Sequence, residues 1–447
     1  MKKSLLSLPI LLISSILTAQ TTPQILDSFM RAAAHARIFN GTVLVARHDS
    51  ILLEKGYGYR DAEKHIFHDS LSVFQIGSLT KSFTATCILQ QAELGHLHLS
   101  DTLGQYFPAY KTGAGVTIEQ VLNHTGGIWE YSNDHAFMAS IYTGHFTEDA
   151  FWKMVANKPL DFTPGTKFGY SNTGYMILGY LLQKVTGRTY WDIVREGIFD
   201  KAGMSSSGFN FAGLKNNNRS IGYESIYNSS ALQAEIVDSS YSFSAGSIYS
   251  TVGDLYKYNK ALLEGRLISA ASMKKAFTPV LQNYGLGWTI EYPAGKRAVF
   301  HQGAIPGFLT LMSMLPDDKS CIILMSNAQD WQTDMQRCYI ELFKILINQP
   351  YVMPRLAISL PIDSLNTYTG SYELKDNKAF KGRLFIKDKH LFLQWNEDKP
   401  EQLYAEKNDF FFITSYDMQL AFTRDSAGKI TGFTAYVGDK QFIYQKL

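Results

Sequence analysis

The sequence predicts an α+β fold: an antiparallel sheet flanked by helices and interrupted by a helical subdomain, then a small all-β barrel or sandwich. Three observations predict it. Alternating apolar runs stand near the start, at 40–60, and again at 284–326. The stretch between them, roughly 117–203, is mostly helical in pattern and is broken by loops rich in Gly, Asn and Ser. The last 86 residues carry seven or eight short alternating runs set apart by turn residues.

The elements follow in chain order. MKKSLLSLPILLISSILTA has a Lys2–Lys3 start, an apolar run from Leu5 to Leu17 and small residues at its end. It reads as a signal peptide over 1–19, too short and too interrupted for a membrane span. The protein is therefore expected to be exported, to the periplasm or beyond, with no stable membrane anchor. Residues 40–60 form two alternating runs around a polar turn at His48–Ser50, a β-hairpin. Residues 78–95 read as a helix whose apolar residues include Leu79, Phe83, Cys87, Ile88 and Leu94, with Gly95 at its end. A second helix covers 172–187 and closes at Gly187; a third runs from 253 to 264.

Strand-like runs occupy 284–291, 297–302, 308–314 and 320–326, punctuated by Gly and Pro as in a meander. A helix over 331–347 completes the first domain, 20–347. The proline-bearing segment 348–361 reads as a linker, and 362–447 as the β-barrel-like domain. There, Trp395 and Phe410, Phe411 and Phe412 read as core.

Composition narrows the function. The chain has 447 residues, 42 basic against 40 acidic, and no basic stripe, which argues against nucleic acid as a partner. Its cysteines are Cys87, Cys321 and Cys338, without a Cys-x-x-Cys. The first two sit in apolar runs as buried thiols; Cys338 stays open, and one disulfide is allowed. His96 and His98 lack a nearby third ligand, and the Gly-rich 56–60 lacks dinucleotide-loop spacing, so no metal or cofactor is expected.

Ser-x-x-Lys occurs three times, at Ser78/Lys81, Ser272/Lys275 and Ser426/Lys429. A serine needs a base, and a desolvated lysine one helical turn away can supply it. Only Ser78 stands at the start of a helix with an apolar interior. Ser272 begins a polar helix with adjacent lysines, and Ser426 lies in a β turn. A tyrosine can return the proton to a leaving group, and Tyr-x-Asn occurs at 131–133 and 170–172. A strand must hold the substrate and help bind an oxyanion, and His-x-Gly occurs at 124–126 and 301–303.

Taken in order, FQIGSLTKSFTA, VLNHTGGIWEY, TPGTKFGYSNTGYMILGYLLQKVTG, AGSIYSTVGDLYKY, YGLGW and VFHQGAIPGF resemble the class C β-lactamase-type serine hydrolases, over about residues 25–345. That group holds β-lactamases, DD-peptidases, D-aminopeptidases and esterases. The resemblance implies Ser78 as nucleophile, Lys81 and Tyr170 as its proton partners, and Asn172 as a ligand of substrate or of Lys81. It implies an oxyanion hole from the backbone N–H groups of Ser78 and Ala304, beside His301 and Gly303. Trp129, Glu130 and Tyr131 are expected along the cleft.

Many β-lactamases carry Lys-Thr-Gly where this chain has His301-Gln302-Gly303. A histidine gives a substrate carboxylate a positive charge only when protonated. The departure and the resemblance together imply action on peptides, amides or esters, some of them cell-wall derived, ahead of β-lactams: a D-residue-specific peptidase or carboxypeptidase, or an esterase. A β-lactamase, or a penicillin- or cell-wall-binding sensor without turnover, remains the alternative. LNTYTGSYEL is similar to the start of a lipocalin-like appendage on some of these hydrolases, which implies a lid or gating role.

Overall fold

A computed structural model describes residues 20–140, 144–226, 231–329, 332–413, 418–438 and 440–447. The segment read as a signal peptide lies outside the described residues. The chain divides into two compact units, Met1–Val352 and Met353–Leu447.

The first unit opens on helix α1, Thr22–His35. Thr21 and Gln24 form a reciprocal capping box, and Leu26, Phe29, Met30 and Ala33 make its buried stripe at helical spacing. Strands β1 (Gly41–Arg47) and β2 (Ser50–Tyr57) follow. His48 and Asp49 both have positive φ, 50° and 62°, as a two-residue turn matched to strand twist requires. Much later come β3 (Thr289–Glu291), β4 (Ala298–Ile305), β5 (Phe308–Leu315) and β6 (Ser320–Ser326). The sheet order is β2-β1-β6-β5-β4-β3, antiparallel throughout. Gly41 pairs with Ser326, so the hairpin and the later meander make one sheet.

Side chains alternate across this sheet into two cores. Val43, Val45, Ile322 and Leu324 face α1 and a second helix, Gln332–Leu346. Leu44, Ala46, Ile323 and Met325 face the helical subdomain. Within it run α2 (Thr80–Glu93), α3 (Asn172–Thr186) and α4 (Ser239–Gly246).

Two sequence expectations change. The run 284–291 is strand only from Thr289; Tyr284–Trp288 form turns that bury Trp288. The helix expected from residue 78 begins at Thr80, behind a 3-10 turn over Gly77–Leu79. All three cysteines are buried thiols outside any disulfide. His96 is bound to the Gln91 side chain, and the backbone of His98 donates to Asp101.

The second unit is a closed barrel of eight consecutive antiparallel strands, the first (Gly370–Leu374) pairing with the last (Lys440–Lys446). Glu401–Lys407 is a strand that the sequence reading passed over. Tyr372, Trp395, Phe411, Phe433 and Tyr444 fill the interior. Phe412 stacks on Tyr404, and Phe410 is half-buried beneath the Lys407 ammonium.

Candidate active site

Ser78 sits in the turn before α2, pressed against β4. Gly77 has φ +50°, and a side chain there would lie 2.8 Å from the backbone of Ala304. A Cβ on Gly303 would lie 1.8 Å from the carbonyl oxygen of Ile76. Glycine at both positions lets strand and turn backbones touch. Three residues beyond Ser78, Lys81 falls on the same helix face, and α2 is buried from Thr80 to Gln91.

Lys81 is 0% exposed. Its Nζ lies 3.0 Å from Ser78 Oγ, 2.7 Å from Asn172 Oδ1 and 2.9 Å from the Ala245 carbonyl oxygen. Burial lowers its pKa to about 7, against the opposing charge of Glu130. Near neutrality the amine therefore divides between ammonium and free base. As a free base it retains two N–H donors and a lone pair that can accept the Ser78 proton.

Tyr170 and Asn172 flank the N-cap of α3, where Ser171 Oγ accepts from Gly174 N–H. Lys81 Nζ lies 4.8 Å from the centre of the Tyr170 ring. The residue is 37% exposed, but desolvation of its hydroxyl within the cleft raises the Tyr170 phenol above its ordinary value, and the Ser78 hydroxyl opposes this in part. The phenol is therefore protonated at neutral pH. The His124 ring lies 4.2 Å from that of Tyr170, and His124 Nδ1 accepts from Ser171 N–H. Buried neutral His124 thus supports the tyrosine segment.

His301 Nδ1 meets the Gln302 carbonyl oxygen at 2.6 Å, and Nε2 meets the Tyr284 hydroxyl at 2.9 Å. A carbonyl only accepts, so the proton is on Nδ1 and Nε2 receives the Tyr284 O–H. Burial, then the charge of Lys81, lowers the His301 pKa to about 3. Both ring nitrogens are committed, and burial holds the ring neutral.

Two cavities meet at Ser78 and Ala304. One, of about 800 Å³, is lined by Tyr170, His301, Gly303, Tyr284, Gln302 and Glu291 among others. The other, of about 160 Å³, is lined by Asn172, Tyr131, Met138, Val237, Tyr241 and Ile305 among others. Trp129, expected along the cleft, lines neither: it packs half-buried on the core beneath the Lys158 ammonium, 4.2 Å away. Glu130 is buried behind Asn172 and accepts hydrogen bonds from its amide.

The rival Ser-x-x-Lys pairs lie elsewhere. Lys275 pairs with Glu119 at the surface, and Ser426 and Lys429 bracket a turn between barrel strands. Tyr131 lies in a 3-10 turn, its hydroxyl toward the Tyr241 carbonyl. Tyr284 and Ala245 were missed as neighbours of the site. YGLGW signalled the first by its place in the motif order, whereas the second acts through its backbone and leaves no signal in residue type.

Among known proteins, residues 26–346 match the family model described as Beta-lactamase, and 354–447 one described as a domain of unknown function, DUF3471. The chain is 32% identical over 293 residues to the putative penicillin-binding protein PbpX of Bacillus subtilis, covering 65% of this chain and 71% of that one. It is 29% identical over 416 residues to another Bacillus subtilis penicillin-binding protein, covering 86% and 90%. The octameric penicillin-binding protein homologue of Pyrococcus abyssi superposes with TM-score 0.68 at 21% identity, covering 94% and 99%. The D-amino acid amidase of Ochrobactrum anthropi does so with TM-score 0.66 at 21%, covering 73% and 99%.

Proposed function

The chain belongs to the beta-lactamase family and is a serine hydrolase, and from that footing we propose that it cleaves peptide, amide or ester substrates through an acyl-enzyme on Ser78. One observation carries the reading: a completely buried Lys81 amine lies 3.0 Å from Ser78 Oγ, where burial lowers its pKa to about 7.

Ser78 Oγ attacks the substrate carbonyl as its proton passes to Lys81, and the C–O bond forms. The backbone N–H groups of Ser78 and Ala304 bind the oxyanion. With its phenol held protonated, Tyr170 acts as a relay rather than as a phenolate base. It gives its proton to the departing nitrogen or oxygen and is reprotonated from Lys81. Water then attacks the ester and reverses the proton path.

The two cavities orient the substrate. Tyr170 lines the large one and Asn172 the small one. A group that takes its proton from Tyr170 departs into the large cavity, so the acyl side chain occupies the small one. A dry cavity of about 150 Å³ accommodates benzene; one of about 160 Å³ suits a single aromatic or branched apolar side chain. Among the described residues lining the two cavities, none is Lys or Arg, and Glu291 is the one carboxylate. That favours neutral or amine-bearing amides and esters over substrates anchored by a carboxylate, β-lactams and C-terminal D-alanyl peptides included. The preference for D-residues is drawn from relatives named as a D-amino acid amidase and a D-stereospecific amidohydrolase. Export is proposed from the composition of residues 1–19.

The test is a panel holding a D-phenylalanyl amide, a chromogenic ester, a D-Ala-D-Ala peptide and a chromogenic cephalosporin. Wild type should turn over the first two fastest, and Ser78→Ala should lose at least about 10³-fold. A folded Ser78→Ala protein that hydrolyses at the wild-type rate refutes the reading.

A further inference from the structure

Glu130 is 6% exposed, and four N–H groups converge on its carboxylate. Oε1 accepts from Ser132 N–H at 3.1 Å and from Asn172 Nδ2 at 2.7 Å. Oε2 accepts from the backbone N–H of Asn172 at 2.5 Å and of Thr173 at 3.2 Å. An ionised carboxylate offers about four acceptor positions, so none is left for a substrate. The two backbone donors belong to the first turn of α3, where a negative charge also meets the positive end of the helix dipole.

An amide has one accepting and one donating end. With Nδ2 of Asn172 given to Glu130, its Oδ1 faces Lys81 Nζ at 2.7 Å. The flipped amide would set N–H against N–H at Lys81 and oxygen against oxygen at Glu130. We propose that Glu130 is a positioning residue for the Ser78–Lys81 pair: it locks the Asn172 amide with Oδ1 toward Lys81 and supplies the fixed negative charge that acts on that amine. Its consequence for turnover rests on the hydrolase reading above; its consequence at Lys81 rests on the hydrogen-bond chain from Glu130 through Asn172 and on the charge Glu130 exerts on that amine.

The groups around Lys81 leave this role to Glu130. The Tyr170 and Tyr175 phenols are pushed up by desolvation and stay neutral. His124 and His301 are pushed down by burial and also stay neutral. Facing Glu130 in turn are Tyr131 and Tyr170, both held protonated, and Asp161, whose carboxyl is raised by burial and by Glu130. Among these groups Glu130 is the one whose charge opposes the loss of the Lys81 proton.

The experiment compares wild type, Glu130→Gln, Glu130→Asp and Ser171→Ala. The last removes the α3 cap and reports what loss of structure alone does. Lysine ¹⁵N NMR follows Lys81, its resonance assigned by disappearance in Lys81→Arg. Ester hydrolysis is followed against pH in parallel. In Glu130→Gln the Lys81 midpoint should fall from about 7 by about one unit. The acid limb of kcat/KM should follow it, and kcat should drop about 10- to 100-fold as Asn172 is released. Glu130→Asp keeps the charge but is one methylene shorter, so its midpoint should stay near wild type while kcat falls. Ser171→Ala should leave the midpoint in place. The proposal is overturned if Glu130→Gln titrates as wild type, if its kcat stays within twofold, or if Ser171→Ala reproduces its shift. A wild type inert toward every substrate refutes the hydrolase reading instead, and the NMR midpoint then decides on Glu130.

Discussion

Both ring nitrogens of His301 are committed inside the protein, which decides what the histidine can do. It has no proton to give a substrate and gains no charge in the ordinary histidine range. The pH profile of kcat/KM should therefore show a rising limb near 7 from Lys81 and none of its own from His301. Histidine NMR should find the His301 ring neutral, with the proton on Nδ1, down to pH 5. Tyr284→Phe removes the donor to Nε2 and strands a buried acceptor, at a cost of about 1–3 kcal/mol in stability by denaturant unfolding. The Ser-x-x-Lys spacing, the Tyr-x-Asn and the His-x-Gly were all legible in the sequence. The state of His301 was not, because its partner Tyr284 stands 17 residues away on a turn with no periodic pattern.

Among the elements, the contact between β4 and the turn carrying Ser78 is the tightest constraint on the site. Gly303→Ala must drive strand and turn apart, since its Cβ would overlap the Ile76 carbonyl. Ala304 N–H, the proposed oxyanion donor, is then displaced, and kcat should fall at least about 10²-fold. Circular dichroism should confirm a folded protein, and a variant with wild-type kcat would remove Ala304 from the oxyanion hole. The sequence revealed α3 well, because its cap, its apolar interior and Gly187 agree. It revealed α2 less well: Thr80, Lys81, Thr84 and Thr86 are buried and bonded to neighbouring elements, and buried Ser82 donates back to the Leu79 carbonyl, so polarity there does not mark a solvent face. The barrel strand Glu401–Lys407 escaped notice because only Leu403 and Ala405 point inward between charged ends.

For the whole molecule, His68, His124 and His301 are buried as neutral rings, with pKa values lowered to about 4, well below the ordinary 6.5, and to about 3. The unfolded chain binds these protons from about pH 6.5 downward; the folded chain resists until much lower pH. Their contribution to stability is thus complete above pH 6.5 and drains away as pH falls toward 4. Each group contributes a slope of about 1.4 kcal/mol per pH unit, roughly 4 for the three. Thermal unfolding should show Tm dropping steeply below pH 6, and His68→Asn should make the drop shallower. A flat Tm between pH 6 and 4.5 would contradict the burial of these rings as neutral species. The split sheet was legible as two sets of alternating runs, and the barrel as evenly spaced short ones. The choice of barrel over sandwich was not, since first-to-last closure is a long-range pairing.

The pairing of β1 with β6 also sets the order of events when the chain folds. This interior strand pair joins residues near the two ends of the first unit, which gives the topology a high contact order and a slow search. β1 has no neighbour on its inner side until β6 has been synthesised, so on a ribosome the unit stays open until almost all of it has emerged. Hydrolytic competence should then appear in a single late step rather than accumulate with chain length. The export proposed from residues 1–19 would be served by that delay, since a chain still open can be threaded through a narrow channel.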